Sequence, residues 1–479
     1  MAEGYVRSKI VCTIGPASDA PETIDAMIKA GMDVARLNLS HGTYDEHREK
    51  IGHIRDLGDI GILVDLPGPK IRLGEIEGTI YLEQGKLVHF TTRDVIGREG
   101  ELPVSYDKLP RELNIGGSVY LSDGLIEVEV TDIDPDLNGF TAKVVSEGEV
   151  TSRKGINAPG AKLSLRPPTD KDVEGIDFGI EMGADWFAVS FVRDSRDLEE
   201  TRRMIKDAGG SQPIISKIEH GEAIDNIEGI IESSDGVMVA RGDLGIEVKP
   251  WEVPLLQKKI INKCREAGKP VIVATQMLES MVTHPRPTRA EASDVANAII
   301  DGADAVMLSE ETATGLFPVE AVRVMNSISQ TVESSRPSRG MQSLSRSAEI
   351  ADVIGSLTSQ AAGSVDPAAI IVVTRSGFSA LMVSKHRPKG RILAVTRDLA
   401  IRRMMKLFWG VETLNIPWTD ERDELIVRAI KECLERSLVS LNDAVMVVSG
   451  STLEAPGRTT TLEILKVDNV LEYKKRKED

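Results

Sequence analysis

Two short strings hold the residues best suited to chemistry. Ile214-Ile-Ser-Lys-Ile-Glu219 reads as an extended strand, in which alternate side chains share a face. Ile215, Lys217 and Glu219 then lie on one side, so an ammonium and a carboxylate emerge together where the strand ends. A helical run, Glu222 to Ser233, follows, and a second apolar strand over Val237, Met238, Val239 and Ala240 ends in Arg241-Gly242-Asp243. Two neighbouring parallel strands would deliver one lysine and two carboxylates to one rim. Glu219 and Asp243 could hold a divalent ion there while Lys217 neutralises a developing anion. The plainer alternative is a structural salt bridge at a strand end.

Other strand ends add to this set. Arg36, Asn38 and Ser40 alternate along one face, Asp65 and Thr275 close two further apolar stretches, and Ser190 with Arg193 and Ser309 with Glu311 close two more. Arginine suits phosphate because its fork donates two parallel hydrogen bonds. Backbone N–H groups around Gly242 and Asp243, opening a helix, could hold a carboxylate, and Gly242 permits close approach. Thr275 is a poor acid, so it is better suited to ordering a water or relaying a proton. Farther along, Thr374-Arg-Ser376-Gly377-Phe-Ser379 follows a strand and precedes a helix, where hydroxyls and N–H groups make a phosphate cradle. A bare helix cap explains that loop almost as well. Gly450 to Arg458 could close over it.

The elements that position these residues are legible as an α/β pattern. Strands are expected at Lys9–Thr13, Asp33–Leu37, Gly61–Leu66, Trp186–Phe191, Pro213–Ile218, Gly236–Arg241, Pro270–Thr275 and Asp304–Ser309, each leading to a helix. Eight such units predict a (β/α)8 TIM barrel. Glu22 to Ala30 places Ile24, Met27 and Ile28 on one side with Gly31 as the stop, and Trp251 to Ala267 repeats the pattern before Gly268. Between Leu73 and Asn157 the texture turns to β, with Thr79–Leu82, Leu87–Phe90, Ser118–Leu121 and Ile126–Val130 punctuated by Gly and Asp-Gly turns. The expected layout is a barrel over 1–72 and 158–340, an inserted small β-barrel lid over 73–157, and a C-terminal α/β unit over 341–479. Ser334 to Ser347 reads as the linker. Beyond it, Ala369–Thr374, Arg391–Thr396, Glu412–Ile416 and Ala444–Ser449 alternate with helical runs such as Glu421–Ser437, predicting a mostly parallel sheet.

Composition agrees. The 479 residues exceed one ordinary core and predict two to four domains. A hydrophobic share of 41% and a charged share of 28% are globular values. The net charge of −17 argues against a general nucleic-acid binder but not against an anionic substrate. The basic run Lys474, Lys475, Arg476, Lys477 reads as a solvated end. Cys12, Cys264 and Cys433 are too scattered for a metal or disulfide framework, and Cys12 reads as a small core residue. With no secretory pattern at the start and no apolar run of membrane length, a cytoplasmic protein with no membrane partner is expected.

Five segments, in order, carry a resemblance to a known family: Lys9–Ser18, Ala35–Gly42, the string from Ile214 through Gly245, Ala274–Met281 and Pro285–Glu291. They resemble pyruvate kinases, densely from about residue 6 to 335 and more loosely from about 345 onward. The resemblance implies transfer of the phosphoryl group of phosphoenolpyruvate to ADP, giving ATP and pyruvate in glycolysis. It assigns Arg36 to the phosphoryl group, Lys217 to the phosphoryl-transfer transition state, and Glu219 and Asp243 to magnesium (or manganese). Thr275 would sit beside the methylene carbon that becomes protonated. Asn38, Leu39, Ser40 and His41 would border the nucleotide, with Arg72 and Lys154 near it, and Asp123 in the lid would reach the metal-nucleotide on closure. The family's mobile lid domain lies at the position of the insertion, and a similar C-terminal loop (Thr374, Ser376, Gly377, Ser379) binds phosphorylated allosteric effectors. A homotetramer is implied as well.

Two departures stand out. Glu310 occupies a position where many members have glycine, which puts the local loop geometry in question. Many members also have threonine at the position of Leu66 and glutamate at that of Lys70, and need potassium held by residues matching Asn38, Ser40 and Asp65. Lys70 would bring its own ammonium into that site, as in the potassium-independent branch, so no potassium requirement is expected. Two other readings stay open from sequence: a magnesium-dependent aldolase or lyase acting through a pyruvate enolate, and a catalytically silent metabolite sensor.

Overall fold

The computed structural model describes residues 5–136, 138–335, 349–450 and 459–478. Eight parallel strands, Lys9–Thr13, Val34–Asn38, Gly61–Asp65, Trp186–Val189, Ile214–Ile218, Gly236–Ala240, Val271–Ala274 and Ala305–Leu308, close into a barrel in chain order. The eighth returns to the first through the Lys9↔Ala305 to Cys12↔Leu308 register. Parallel strands are covered on both faces, which is why they are continuous apolar runs; every residue of Gly61–Asp65, Ile214–Ile218 and Gly236–Ala240 is buried.

Local signals set the helix ends. Thr43 with Glu46, Asp194 with Asp197, and Thr288 with Glu291 form reciprocal capping boxes, each satisfying otherwise orphaned N–H groups. Gly31, at φ 122°, ends Pro21–Ala30, a conformation that costs glycine little. Two expected helices differ. The run Glu222 to Ser233 is two helices, Gly221–Asp225 and Ile227–Ser233, because Asn226 caps the first and spends its side-chain amide on the carbonyls of Arg193 and Glu222. The expected Trp251 start lies two residues late, at Val253, with Pro254 in the first turn where a missing N–H costs nothing.

The chain divides into two compact units, 1–64 with 181–187 and 261–479, and 65–180 with 188–260. In the second, the insertion after the third barrel strand is mostly β, with one short helix, Leu109–Glu112. A six-stranded sheet runs in the order Ile156–Asn157, Ser118–Leu121, Ile126–Ile133, Gly139–Val144, Leu87–Thr91, Glu101–Pro103. A two-stranded ribbon pairs Ile80–Leu82 with Gly148–Val150. They share one apolar core in which Phe90 stacks on Phe140 at 4.7 Å.

In the first unit, a five-stranded sheet orders Val411–Leu414, Arg391–Val395, Ala369–Val373, Ala444–Ser449 and Thr461–Lys466. Four strands are parallel as expected; the last is antiparallel to Ala444–Ser449 and was not anticipated. The 336–348 part of the expected linker, the 451–458 part of the expected closing loop and the side chains of Lys474, Lys475, Arg476 and Lys477 lie outside the described residues. Among the described residues no helix is long and apolar enough to cross a membrane. All three cysteines are buried and free.

Also in this unit, the start of the chain is stapled to the C-terminal sheet by alternating cations and rings. Arg387 lies over Trp409 at 4.4 Å, Arg7 lies over both Trp409 and Tyr5, and Arg391 lies over Tyr5 at 4.3 Å. The Tyr5 hydroxyl donates to the Gly410 carbonyl. Arg387 is itself buried and pairs with the buried Asp304 carboxylate at 2.9 Å. Asp304 also receives the Val271 N–H, so it pins the start of the seventh strand. Removing one partner of a buried pair strands the other charge. Arg387→Ala is therefore expected to lower the unfolding free energy by about 3 kcal/mol, whereas Arg98→Ala, whose pair with Glu77 is exposed, should leave it nearly unchanged. Urea unfolding of both variants checks this; equal midpoints would sink the assignment.

Candidate active site

The fifth and sixth strands are parallel neighbours, with Lys217 opposite Met238. Strand alternation brings Lys217 and Glu219 to one face: the ammonium lies 2.9 Å from Glu219 Oε1 and 3.2 Å from Asp65 Oδ1. It also donates to Ser190 Oγ at 2.7 Å, while that hydroxyl donates to the Leu66 carbonyl. The ends of the third, fourth and fifth strands therefore meet on one ammonium. The second Glu219 oxygen accepts the Phe191 N–H at 2.8 Å, which needs Phe191 at φ 58°. Such left-handed non-glycine residues cost about 1–3 kcal/mol and gather where geometry is functionally over-determined. Burial pushes the Glu219 carboxyl up; Lys217 pulls it down, and Asp243 and Asp65 push it up further.

Asp243 lies in the first turn of the helix Arg241–Glu247, immediately after the sixth strand. The expected neighbours of Lys70 are Asn38, Ser40 and Asp65; its ion pairs are with Asp243 at 3.6 Å and Asp123 at 3.4 Å, while Asp65 pairs with Lys217. Asp123 stands in the Ser122–Gly124 turn of the inserted sheet, with Ser122 and Asp123 both left-handed. Gly68 makes the Asp65–Arg72 loop possible, since a β-carbon there would sit 2.8 Å from the Ser190 side chain. Four carboxylates (Asp65, Asp123, Glu219, Asp243) thus face two ammonium groups (Lys70, Lys217), a surplus of two negative charges. Hard oxygens with that surplus suit a divalent cation. Among the described residues no group of three or more His, Cys, Asp or Glu side chains is placed to hold a metal ion.

Arg72 and Lys154 meet at the neck of the insertion. Leu73 N–H donates to the Lys154 carbonyl, and the Arg72 guanidinium to the Arg153 carbonyl. Arg193 is buried, with its guanidinium on the carbonyls of Leu163 and Leu165, so it anchors the segment leaving the insertion. Behind Asp243, at the far end of the same short helix, Glu247 was not singled out from sequence. Burial pushes its carboxyl up to about 7, against a hydrogen bond from the Asn157 side chain and the Arg193 charge, with Asp243 adding to the rise. His220 Nε2 is 3.5 Å from it. His220 Nδ1 accepts the Glu222 N–H, and burial with the Arg193 charge lowers the imidazole to about 4, so the ring is neutral with its proton on Nε2.

In the other unit, Arg36 is buried at the end of the second strand and donates to Thr13 Oγ1 at 2.8 Å; Thr13 in turn donates to the Leu308 carbonyl. Asn38 Oδ1 accepts the Ser40 N–H, an Asx turn that carries Leu39 to His41, with the His41 carbonyl held by His47. Thr275 ends the seventh strand at φ 67°, followed by Gln276 at φ 54°, and its hydroxyl donates to the Ala274 carbonyl. Glu311 shapes this loop from beneath, accepting the N–H groups of Leu278 and Ser309. Glu310 opens the turn Glu310–Ala313 without a positive φ, so glycine is not required there. Farther on, Gly377 caps Phe378–Lys385 at φ 85° and donates to Thr374 Oγ1, and Ser379 Oγ meets Thr459 Oγ1. Ser376 lies in the same loop.

Comparison with known proteins covers most of the chain. Residues 5–322 match the model of the pyruvate kinase barrel domain, and 352–465 that of the pyruvate kinase alpha/beta domain. The chain is 44% identical over 475 residues to a pyruvate kinase of Bacillus licheniformis, covering 97% of this chain and 81% of that protein. It is 43% identical over 477 residues to a pyruvate kinase of Geobacillus stearothermophilus, with the same coverage. To pyruvate kinase 2 of a Synechocystis species it is 42% identical over 473 residues, covering 97% and 80%. With a barrel closing on Lys217, Glu219 and Asp243 and two family models spanning most of its length, the chain belongs to the pyruvate kinase family.

Proposed function

We propose that the chain transfers the phosphoryl group of phosphoenolpyruvate to ADP, with the ammonium of Lys217, shared by Asp65, Glu219 and Ser190, as the observation that carries the reading. The bond between phosphorus and the enol oxygen breaks, a bond to the terminal oxygen of ADP forms, and the enolate takes a proton at its methylene carbon to become pyruvate. Such transfer needs little covalent help and depends on positioning and charge neutralisation. Lys217 and Arg36 meet the negative oxygens. Backbone N–H groups of Gly242 and Asp243 take the substrate carboxylate. Thr275, whose hydroxyl is held on its own strand end, orders the water or relays the proton that reaches the methylene carbon. Asn38, Leu39, Ser40 and His41, with Arg72 and Lys154, border the nucleotide.

Glu219 and Asp243 would hold a magnesium or manganese ion, which when bound supplies Lewis-acid charge to the transferring group. Lys70 already brings a positive charge to Asp243 and Asp123, and on this reading it does the work of a bound potassium ion. The remaining assignments belong to the same reading: residues 73–157 as a lid over a barrel of 1–72 and 158–340, residues 341–479 as a regulatory unit with a phosphorylated effector on Thr374, Ser376, Gly377 and Ser379, a homotetramer, and a cytoplasmic location.

The test is pyruvate formation from phosphoenolpyruvate, ADP and magnesium, first without potassium and then with it. Full turnover in both is expected; no turnover in either, with or without phosphorylated effectors, would favour a silent sensor. Lys217→Met should lower kcat by about 10²–10³-fold with the fold intact by circular dichroism. Lys70→Glu should create a potassium requirement, seen as turnover that rises steeply with added potassium. A wild type that itself needs potassium, or a variant that still does not, would overturn the role given to Lys70.

A further inference from the structure

The barrel closes at a seam between its first and eighth strands, and Arg36 is fastened to that seam. Thr13 ends the first strand and stands opposite Arg36 in the register with the second, while Cys12 beside it stands opposite Leu308 of the eighth. The Thr13 hydroxyl joins all three strands. It donates its one proton to the Leu308 carbonyl at 3.0 Å, which leaves a lone pair for the Arg36 guanidinium, and the guanidinium donates to it at 2.8 Å. The main chain follows the same path, with the Arg36 carbonyl accepting the Ile14 N–H at 3.0 Å. Thr13, Arg36 and Leu308 are all buried, where a hydrogen bond is electrostatically stronger than in water. The seam is held from its other side as well. Thr312, buried in the turn Glu310–Ala313, donates to the Thr13 carbonyl at 2.9 Å. Gly15 lets the chain lie against that turn, since a β-carbon on it would sit 2.5 Å from the Ala313 carbonyl oxygen. The same turn carries Glu311, whose bonds to Leu278 and Ser309 fix the loop that follows Thr275.

We propose that Thr13 is a positioning residue for Arg36: its hydroxyl, fixed in direction by the Leu308 carbonyl, aims the guanidinium at the phosphoryl oxygens and holds it in a set relation to the Thr275 loop. This rests on Arg36 meeting the phosphoryl group. A guanidinium that grips a phosphate does so with a planar fork of parallel N–H bonds, so its angle matters as much as its distance. Thr13 acts through Arg36 and not on the substrate. A group misplaced by about 1 Å costs up to about 10²-fold in rate, which sets the scale of the effect.

The experiment is steady-state kinetics of pyruvate formation by the full chain, with phosphoenolpyruvate, ADP and magnesium, run as a double-mutant cycle. Thr13→Val removes the hydroxyl at nearly the same shape. It is expected to lower kcat/KM for phosphoenolpyruvate by about 10–100-fold and to leave the KM for ADP within about twofold. Thr13→Ser, which keeps a hydroxyl, should recover most of the loss. In an Arg36→Lys background, Thr13→Val should cost no more than about threefold further, because residues that act as a unit are not additive. Thr13→Ala serves if the valine variant does not fold, with the same outcomes expected. A folded variant without the hydroxyl that matches the wild type, a serine variant that recovers nothing, or a loss that persists in full in the Arg36→Lys background would overturn the role of Thr13 while leaving the phosphoryl-transfer reading intact. Absence of wild-type turnover would overturn that reading, and this role with it.

Discussion

An ammonium buried among carboxylates is the interaction around which the rest of this molecule is arranged. Lys217 could not remain charged at its strand end without Asp65 and Glu219, and neither carboxylate could be so deeply buried without it, since the desolvation of an isolated ion costs several kcal/mol. Asp65 ends the third strand while Lys217 and Glu219 belong to the fifth, with the fourth between them, so it is the curvature of the barrel sheet that brings them together. The parallel barrel is thus the condition for the charge cluster, and the cluster's uncompensated negative charge is what would draw a cation to it.

Much of this was legible in sequence because strand geometry maps spacing onto space directly. Lys217 and Glu219 are two residues apart and must share a face; Arg36, Asn38, Asp65 and Thr275 end apolar runs and must stand at a rim. The helical break at Asn226 was hidden because the apolar pattern continues through it and only a side-chain amide diverts the backbone. The antiparallel strand Thr461–Lys466 was hidden for a different reason: it is an edge strand with little burial, so its residues do not show the apolar run that marks the others. Glu247 and His220 lie 27 residues apart and fit no motif. Their meeting depends on where one short helix ends, which spacing alone does not encode.

Lys70 shows the same limit from the other side. Its residue type suggested a fixed positive charge near the site, but which carboxylates it meets depends on how the Asp65–Arg72 loop threads past Ser190 through Gly68. Strained backbone follows a similar logic. Phe191, Thr275, Gln276, Ser122 and Asp123 all adopt positive φ without being glycine, and each stands at a strand end or turn bearing a candidate site residue. No residue type announces such conformations; they survive because surrounding hydrogen bonds, such as that from Phe191 to Glu219, outweigh their cost.

The staple of Tyr5 and Arg7 onto Trp409 and Gly410 sets a timetable for biosynthesis. Tyr5 and its carbonyl partner are 405 residues apart, and the first barrel strand waits for the eighth, which begins at Ala305. On a ribosome adding about 5–20 residues per second, the opening segment emerges roughly 20–80 s before the residues that cover it exist. Until the eighth strand is made, Ile10, Val11 and Cys12 have a partner only in the second strand, and the other edge stands open as a template for unwanted pairing. The nascent chain therefore spends most of its synthesis with its first strand in need of shelter.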